Sequence, residues 1–306
     1  MSRAWWIATL GLTAFLAAIA LTLSRLGLIV HELIGHGGAA LAVGGRVTDV
    51  HLFWFAGGWI RYDVPDVGLA GALAISLGGI AIESVIGVAL WIGLARGGGG
   101  LGRRTVRTLG AALFVHAMWY LATGTWHGYG DGRLIHAAAG DARYPIAIAA
   151  GLVGGAAGFA GARLLFASIR SVTGLAGALL AIAAAATINV ALDLGELHLR
   201  RDAPYATIMQ PERERAAARE LAAWQAAQPA ADAAAIEAQK RALAAAHRDV
   251  PFAWLLGASL IVAIVAGAAR SPTCSEHALA RRTIGLAAAA AVISTATVIA
   301  IDAGFH

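Results

Sequence analysis

Long runs of residues almost free of charge dominate the chain, at about 5–24, 26–44, 68–95, 108–123, 146–168, 172–196, 252–269 and 283–301. A lipid hydrocarbon core about 30 Å thick takes roughly 20 helical residues to cross. Only helices and closed barrels satisfy every backbone polar group inside it. The expected fold is an all-α polytopic membrane protein with seven or eight transmembrane helices. Only Ser24-Arg25 separates the first two runs, which places a tight turn or a shallow half-helix there. With 59% hydrophobic and 13% charged residues, composition excludes an ordinary soluble domain, and the 38 glycines suit helices packed through small residues.

Charge bears on topology more than on partners. The net charge of +5 comes almost wholly from arginine, Lys240 being the lone lysine, so no nucleic-acid partner is expected. An eight-span scheme puts Arg25, Arg96, Arg103, Arg104, Arg107, Arg170, Arg270, Arg281 and Arg282 on one face, which the positive-inside rule makes cytoplasmic. It leaves the N-terminus outside despite Arg3 and exports 197–250. The expected location is a multi-pass protein of a bacterial-type cytoplasmic (inner) membrane, in contact with the lipid bilayer, and no small-x-small cleavage site follows the first run. Cys274 is the single cysteine, so any metal must sit on histidine and carboxylate.

Two interruptions have structure of their own. Residues 46–62 are β-branched and aromatic around Ala56-Gly57-Gly58, which predicts a small β-hairpin. Residues 205–250 are Ala-rich and polar, split by Pro229 into two helices with Glu237 and Arg241 spaced for mutual support, and read as a solvated helical segment without catalytic groups. The chain therefore divides into a membrane core over 1–145, further transmembrane helices over 146–196, an extramembrane helical segment over 197–250 and C-terminal transmembrane helices over 251–306.

The constellation that carries chemistry is His31-Glu32-Leu33-Ile34-Gly35-His36, inside an apolar helical run where ionisable groups are costly. In H-E-x-x-H, two imidazoles one turn apart grip zinc, and the glutamate takes a proton from the water on the metal. Here the second histidine is one position late, which on an ideal helix puts the rings about 140° apart rather than about 40°. A single π-bulge absorbs one residue, and Gly35 is a place for the backbone to deform.

His31 to His36 match letter for letter the H-E-x-x-G-H of the dipeptidyl peptidase III zinc peptidases, which are soluble and draw a third ligand from a second glutamate motif not found here. Over residues 20–140 the chain resembles the site-2 protease family of intramembrane zinc metalloproteases. The early motif helix ends in Gly44-Gly45-Arg46, and the β-rich segment follows. A small-residue helix with Ser76-Leu77-Gly78-Gly79 comes next, and Gly130-Asp131-Gly132 is similar to that family's Asp-Gly motif. Glu83 stands where the family tends to carry asparagine, and Trp126-His127-Gly128-Tyr129 replaces its usual Asn and Pro. The resemblance implies that His31, His36 and Asp131 bind Zn²⁺ and that Glu32 is the general base. It further implies that the substrate is a membrane protein or peptide cut within or beside the bilayer, and that the hairpin edge holds it by strand addition.

Other residues have competing readings. Asp131 also fits a turn or the N-cap of a helix near Arg133, and Asp193 is a rival ligand. His127 and His136 flank Asp131, and His116 shares a helix face with Tyr120. Glu83 fits a partner to a ligating histidine better than a plain helix–helix hydrogen bond. His51 and His198 are read as polar surface residues, and Leu52-Phe53-Trp54-Phe55 as hairpin packing or interfacial anchoring. His31 and His36 also fit one half of a di-iron oxidase or hydroxylase, although no H-x-x-H-H box exists in the chain. A transporter or a non-catalytic protease-like scaffold is the reading outside enzymology.

Overall fold

The computed structural model describes residues 2–93, 101–247, 250–272, 279 and 281–306; Arg96 and Cys274 lie outside the described residues. Helix α1 (Arg3–Ile29) continues without a break through a π-helical turn, Val30–Gly37, into α2 (Gly38–Ala42). The turn expected at Ser24-Arg25 does not exist. Arg25 is only 1% exposed, because its guanidinium donates to the carbonyls of Phe53 and Phe55, both at 2.7 Å, and to Ser24 Oγ. A cation is tolerated inside an apolar helix when carbonyls take its protons, and the hairpin turn supplies them. Arg25 is therefore a clamp and not a loop arginine.

Strands β1 (Arg46–Leu52) and β2 (Gly58–Asp63) form the antiparallel hairpin, pairing from Arg46↔Asp63 to Leu52↔Gly58 with a bulge between Val47 and Asp49. Its turn is held from both sides of the peptide. Arg25 takes carbonyls, while Glu196 accepts the N–H groups of Trp54 at 2.7 Å, Phe55, and Ala56 at 3.1 Å. Arg200, one turn beyond Glu196, pairs with it and with Asp302.

Next come α3 (Gly68–Val88), a short π stretch (Ala89–Gly93) and α4 (Leu101–His127). A single 3₁₀ turn (Gly130–Gly132), α5 (Arg133–Ala138) and a second 3₁₀ turn (Gly140–Ala142) lead into α6 (Arg143–Arg200). Helix α6 reverses at Gly174, whose φ of 70° favours glycine. Its second half runs parallel to α1: Gly177 lies by Thr9, Asn189 donates to the Ala17 carbonyl, and Glu196 lies near Arg25. Its first half runs antiparallel to α4, with Gly161 against Ala111 and Gly154 against Met118. The sequence placed this break a few residues earlier, beside Arg170. Beyond α6 come α7 (Ala203–Met209), α8 (Glu212–Ala227), α9 (Ala233–Ala246), α10 (Phe252–Ala269) and α11 (Arg281–Phe305). On α9, Glu237 takes Lys240 at 2.6 Å, and Arg241 donates instead to the Glu237 carbonyl.

Among the described residues, five helices are long and apolar enough to cross a membrane: Arg3–Ala42, Gly68–Gly93, Gly140–Arg200, Phe252–Ala269 and Arg281–Phe305. Small residues let them approach, with Ala162, Ala178, Ala181 and Ala287 packed around Leu12, Phe15 and Phe166. One end of the bundle gathers Arg3, the start of α4, the Gly174 reversal and the start of α11. There Arg103, Arg104, Arg107 and Arg163 line a cavity with Trp91 and Pro272. The opposite end carries the hairpin, the Asp131 turn and residues 201–247. The N-terminus thus lies at the arginine-rich end, opposite to the expectation, because one helix rather than two precedes the hairpin.

Glu196→Ala removes the acceptor for three N–H groups and one of the two carboxylates near Arg25, leaving Asp193 as the other. A loss of about 2–3 kcal/mol is expected for buried donors left unmade, read as a lowered thermal midpoint of the detergent-solubilised protein, with Glu196→Gln losing less.

Candidate metal centre

The π turn decides where the two imidazoles point. With i→i+5 hydrogen bonding, residues five apart take the stacked positions that residues four apart hold in an α-helix. His31 and His36 accordingly lie side by side, ring centroids 4.9 Å apart. Asp131, from the 3₁₀ turn after α4, meets both: its Oδ2 is 2.9 Å from His31 Nε2 and its Oδ1 is 3.2 Å from His36 Nε2. One ligand atom from each of the three residues falls within 4.8 Å of the others. The Asp131 carboxylate therefore faces the histidines and does not cap α5.

Neighbouring groups orient the rings. His36 Nδ1 lies 2.7 Å from the Ile75 carbonyl, which fixes its proton there and turns Nε2 toward Asp131. His31 Nδ1 lies 3.4 Å from Glu83 Oε2, within ion-pair reach though not aligned as a hydrogen bond, and His116 Nδ1 is 3.2 Å from the same oxygen. Glu83 thus serves as a carboxylate behind a ligand-type histidine. Ser76 Oγ donates at 2.8 Å to the backbone carbonyl of Asp131 and ties its turn to α3.

Glycines bring α3 this close. A Cβ on Gly35 would meet Gly79 Cα at 2.5 Å, and one on Gly79 would run into the His31 imidazole. Gly35 is spent on helix contact as well as on lying in the π turn. Gly130, with φ of 50°, lies against the Tyr120 hydroxyl. The Tyr120 ring is 5.8 Å from His31 and stacks on His116 at 6.3 Å.

The donor set fits a divalent ion. With the His36 Nδ1 proton on the Ile75 carbonyl and His31 Nδ1 beside Glu83, both Nε2 atoms face the Asp131 carboxylate, whose buried Oδ2 has no aligned hydrogen bond. Either a further proton on each ring or one cation among the three relieves this, and two imidazoles with one carboxylate are a zinc-type set that leaves a position open. Glu32, 7% exposed, sits next to His31 and interacts electrostatically with His36, His31 and Asp131.

The remaining candidates lie elsewhere. His127 stacks on Tyr129 at 6.4 Å, His136 Nδ1 is 3.0 Å from the Thr125 carbonyl, and Asp193 faces Arg25. His198 is exposed. His51 is not a free surface residue: its side chain is 13% exposed, between Asp202 and Asp302.

Residues 202–215 contribute what the sequence reading missed. Tyr205 packs on Phe53, 5.1 Å between rings, with its hydroxyl at Gly57. Burial, with Asp193 and Glu32 nearby, pushes its phenol up to about 12. On β2, burial with Asp131 and Glu32 nearby likewise pushes the Tyr62 phenol up. Both hydroxyls stay protonated, and so remain donors, at neutral pH. Met209 Sδ receives the Tyr120 hydroxyl at 3.7 Å, and Arg215 donates to the Gly128 carbonyl, bracing the loop that leads to Asp131. Nothing in the local sequence marks these residues, since each acts through a partner far along the chain.

Comparison with known proteins gives no match, whether to a family model, a curated protein or a solved structure.

Gly79→Ala is expected to displace the His31 ring and weaken the affinity of this site for an added divalent ion about tenfold or more, measured by titration of the chelator-stripped protein, while Gly155→Ala, where a Cβ meets open space, leaves it unchanged. Arg219 and Arg215 hold the Glu212 carboxyl down at about 2, from an ordinary 4.5. A depressed carboxylate stabilises fully above its unfolded value and loses that contribution as pH falls through the folded one. The difference in thermal midpoint between wild type and Glu212→Gln is therefore expected to be present at pH 6 and to shrink below about pH 4.5, toward 2; the pair is largely solvent-screened, so the difference is small.

Proposed function

We propose that the chain is an intramembrane zinc metalloprotease that hydrolyses a peptide bond within or next to a membrane, acting on a membrane protein or peptide. The observation that carries this reading is the convergence of His31, His36 and Asp131 across a π turn, with Glu32 buried beside them. Zinc held by these three residues would supply Lewis-acid polarisation of a peptide carbonyl and acidify a water to a pKa of about 7.

The chain's own groups do the rest. Glu32 accepts a proton from the attacking water as its oxygen bonds to the carbonyl carbon, then gives that proton to the leaving nitrogen as the C–N bond breaks. Tyr62 on β2 and Tyr205 at the hairpin turn, both held protonated, are hydrogen-bond donors for the substrate backbone. Strand β2 has no second strand partner among the described residues, and Ile60 on it packs over Gly37 beside the π turn. An unwound substrate segment pairs along that edge, which satisfies the backbone groups its own helix gave up. Residues 202–215 pack on Tyr120, on the hairpin turn and on the loop before Asp131, and in this reading they limit entry of water.

Orientation follows from the same reading. The positive-inside rule puts the arginine-rich end in the cytoplasm. His31 lies 28 residues along the helix from Arg3, about 42 Å at 1.5 Å per residue, so the centre opens on the opposite side of the bilayer.

The test is Glu32→Gln against His31→Ala, assayed on apolar helix-forming peptides in detergent micelles with products read by mass. Glu32→Gln is expected to keep its zinc and lose roughly 10²–10⁴-fold in turnover, while His31→Ala loses the zinc. Unchanged turnover in Glu32→Gln, or stoichiometric iron in place of zinc, overturns the reading, the latter in favour of an oxidase.

A further inference from the structure

A second group of metal-type side chains meets where β1, the end of α11 and the start of α7 come together, and nothing in the proposed reaction uses it. His51 Nδ1 is 3.2 Å from His306 Nε2 and 3.2 Å from Asp302 Oδ1, and those two atoms are 3.8 Å from each other. Ligands around a tetrahedral ion with bonds of about 2.0–2.1 Å lie about 3.3–3.4 Å apart, so the three separations bracket the expected edge.

Proton bookkeeping points the same way. His51 Nε2 is 3.3 Å from Asp202 Oδ2, which draws the ring proton to that nitrogen and leaves Nδ1 with a lone pair. Asp302 Oδ1 is an acceptor already engaged by the Leu52 N–H at 2.8 Å, and Oδ2 is held by Arg200 at 3.1 Å. Three lone-pair atoms then converge with at most one proton among them, the one on His306. A cation satisfies all three. The carboxylate behind His51 is itself fixed: Asp202 Oδ1 accepts from the Tyr205 N–H at 2.7 Å and from Trp59 Nε1 at 3.2 Å. A carboxylate that orients a ligating histidine is the usual support of a bound ion.

We infer that His51, Asp302 and His306 form a second site for a divalent transition cation of the zinc type, which ties the last helix to the hairpin and, through Asp202, to the segment 202–215. The donor set of two imidazoles and one carboxylate suits a borderline ion and not calcium or magnesium, which take oxygen ligands. The inference does not depend on proteolysis.

The full chain in detergent, stripped with a chelator and titrated with Zn²⁺ by calorimetry, tests it. Wild type is expected to bind two ions per chain, His306→Ala one, His31→Ala one, and the double variant none. The His306 side chain is about half exposed, so its removal does not threaten folding. The second site is overturned if wild type binds one ion that His306→Ala retains, or if His306→Ala still binds two. A wild type with one ion, kept in His31→Ala and lost in His306→Ala, sustains this site and removes the proposed catalytic one. A zinc-dependent rise in thermal midpoint at the second equivalent, absent in His306→Ala, identifies the ion as a brace.

Discussion

The π turn at Val30–Gly37 sets the positions of everything around it. Ordinary helical geometry would send His31 and His36 to different faces of the helix, one toward α3 and the other away from it. Widening one turn brings both rings to the face where Asp131 arrives, and the cost of the looser backbone is offset by contacts that only this face can make. Those contacts are close because glycine meets glycine: Gly35 against Gly78 and Gly79 places α3 near enough for the Ile75 carbonyl and Glu83 to reach the far nitrogens of the two rings. Helix shape, helix packing and imidazole orientation are thus one arrangement.

A second polar framework holds the hairpin over that turn. Arg25 and Glu196 divide the backbone of the hairpin turn between them, one donating to its carbonyls and the other accepting from its N–H groups. From Glu196 the chain of contacts runs through Arg200 to Asp302, and from Asp302 back to the Leu52 amide at the end of β1. Every buried charge in this series meets an opposite charge or a backbone dipole, which is the condition under which charges persist within apolar surroundings. The same series joins α1, α6 and α11, helices far apart in sequence, around one loop.

Much of the centre was legible in the sequence. The stretched spacing of His31 and His36 requires a widened turn if both are to serve one ion, and the described helix contains one. The hairpin followed from β-branched and aromatic residues around Ala56-Gly57-Gly58. Glu83, costly in an apolar span, fits a histidine partner or a helix–helix hydrogen bond by sequence, and it lies beside both His31 and His116. What could not be read was anything set by contacts between distant segments. Arg25 looked like a loop residue because a charge between two apolar runs ordinarily marks one; only the carbonyls of Phe53 and Phe55, which no local pattern announces, make it a buried group. His51 looked superficial for the same reason, its neighbours Asp202 and Asp302 lying about 150 and 250 positions further on. The roles of Tyr205 and Arg215 were hidden by the polar, alanine-rich stretch around them.

Angular position, not letter spacing, is what a pair of ligands must satisfy. A helix of the common zinc type, given one extra residue between its histidines, has two choices: lose the pair, or absorb the insertion as an i→i+5 turn and keep it. In this chain the surplus is taken up within eight residues, and the helix leaves the turn in regular α geometry toward the hairpin. Searches that demand a fixed interval between the two histidines would therefore pass over any membrane helix that made the second choice, however complete its ligand sphere.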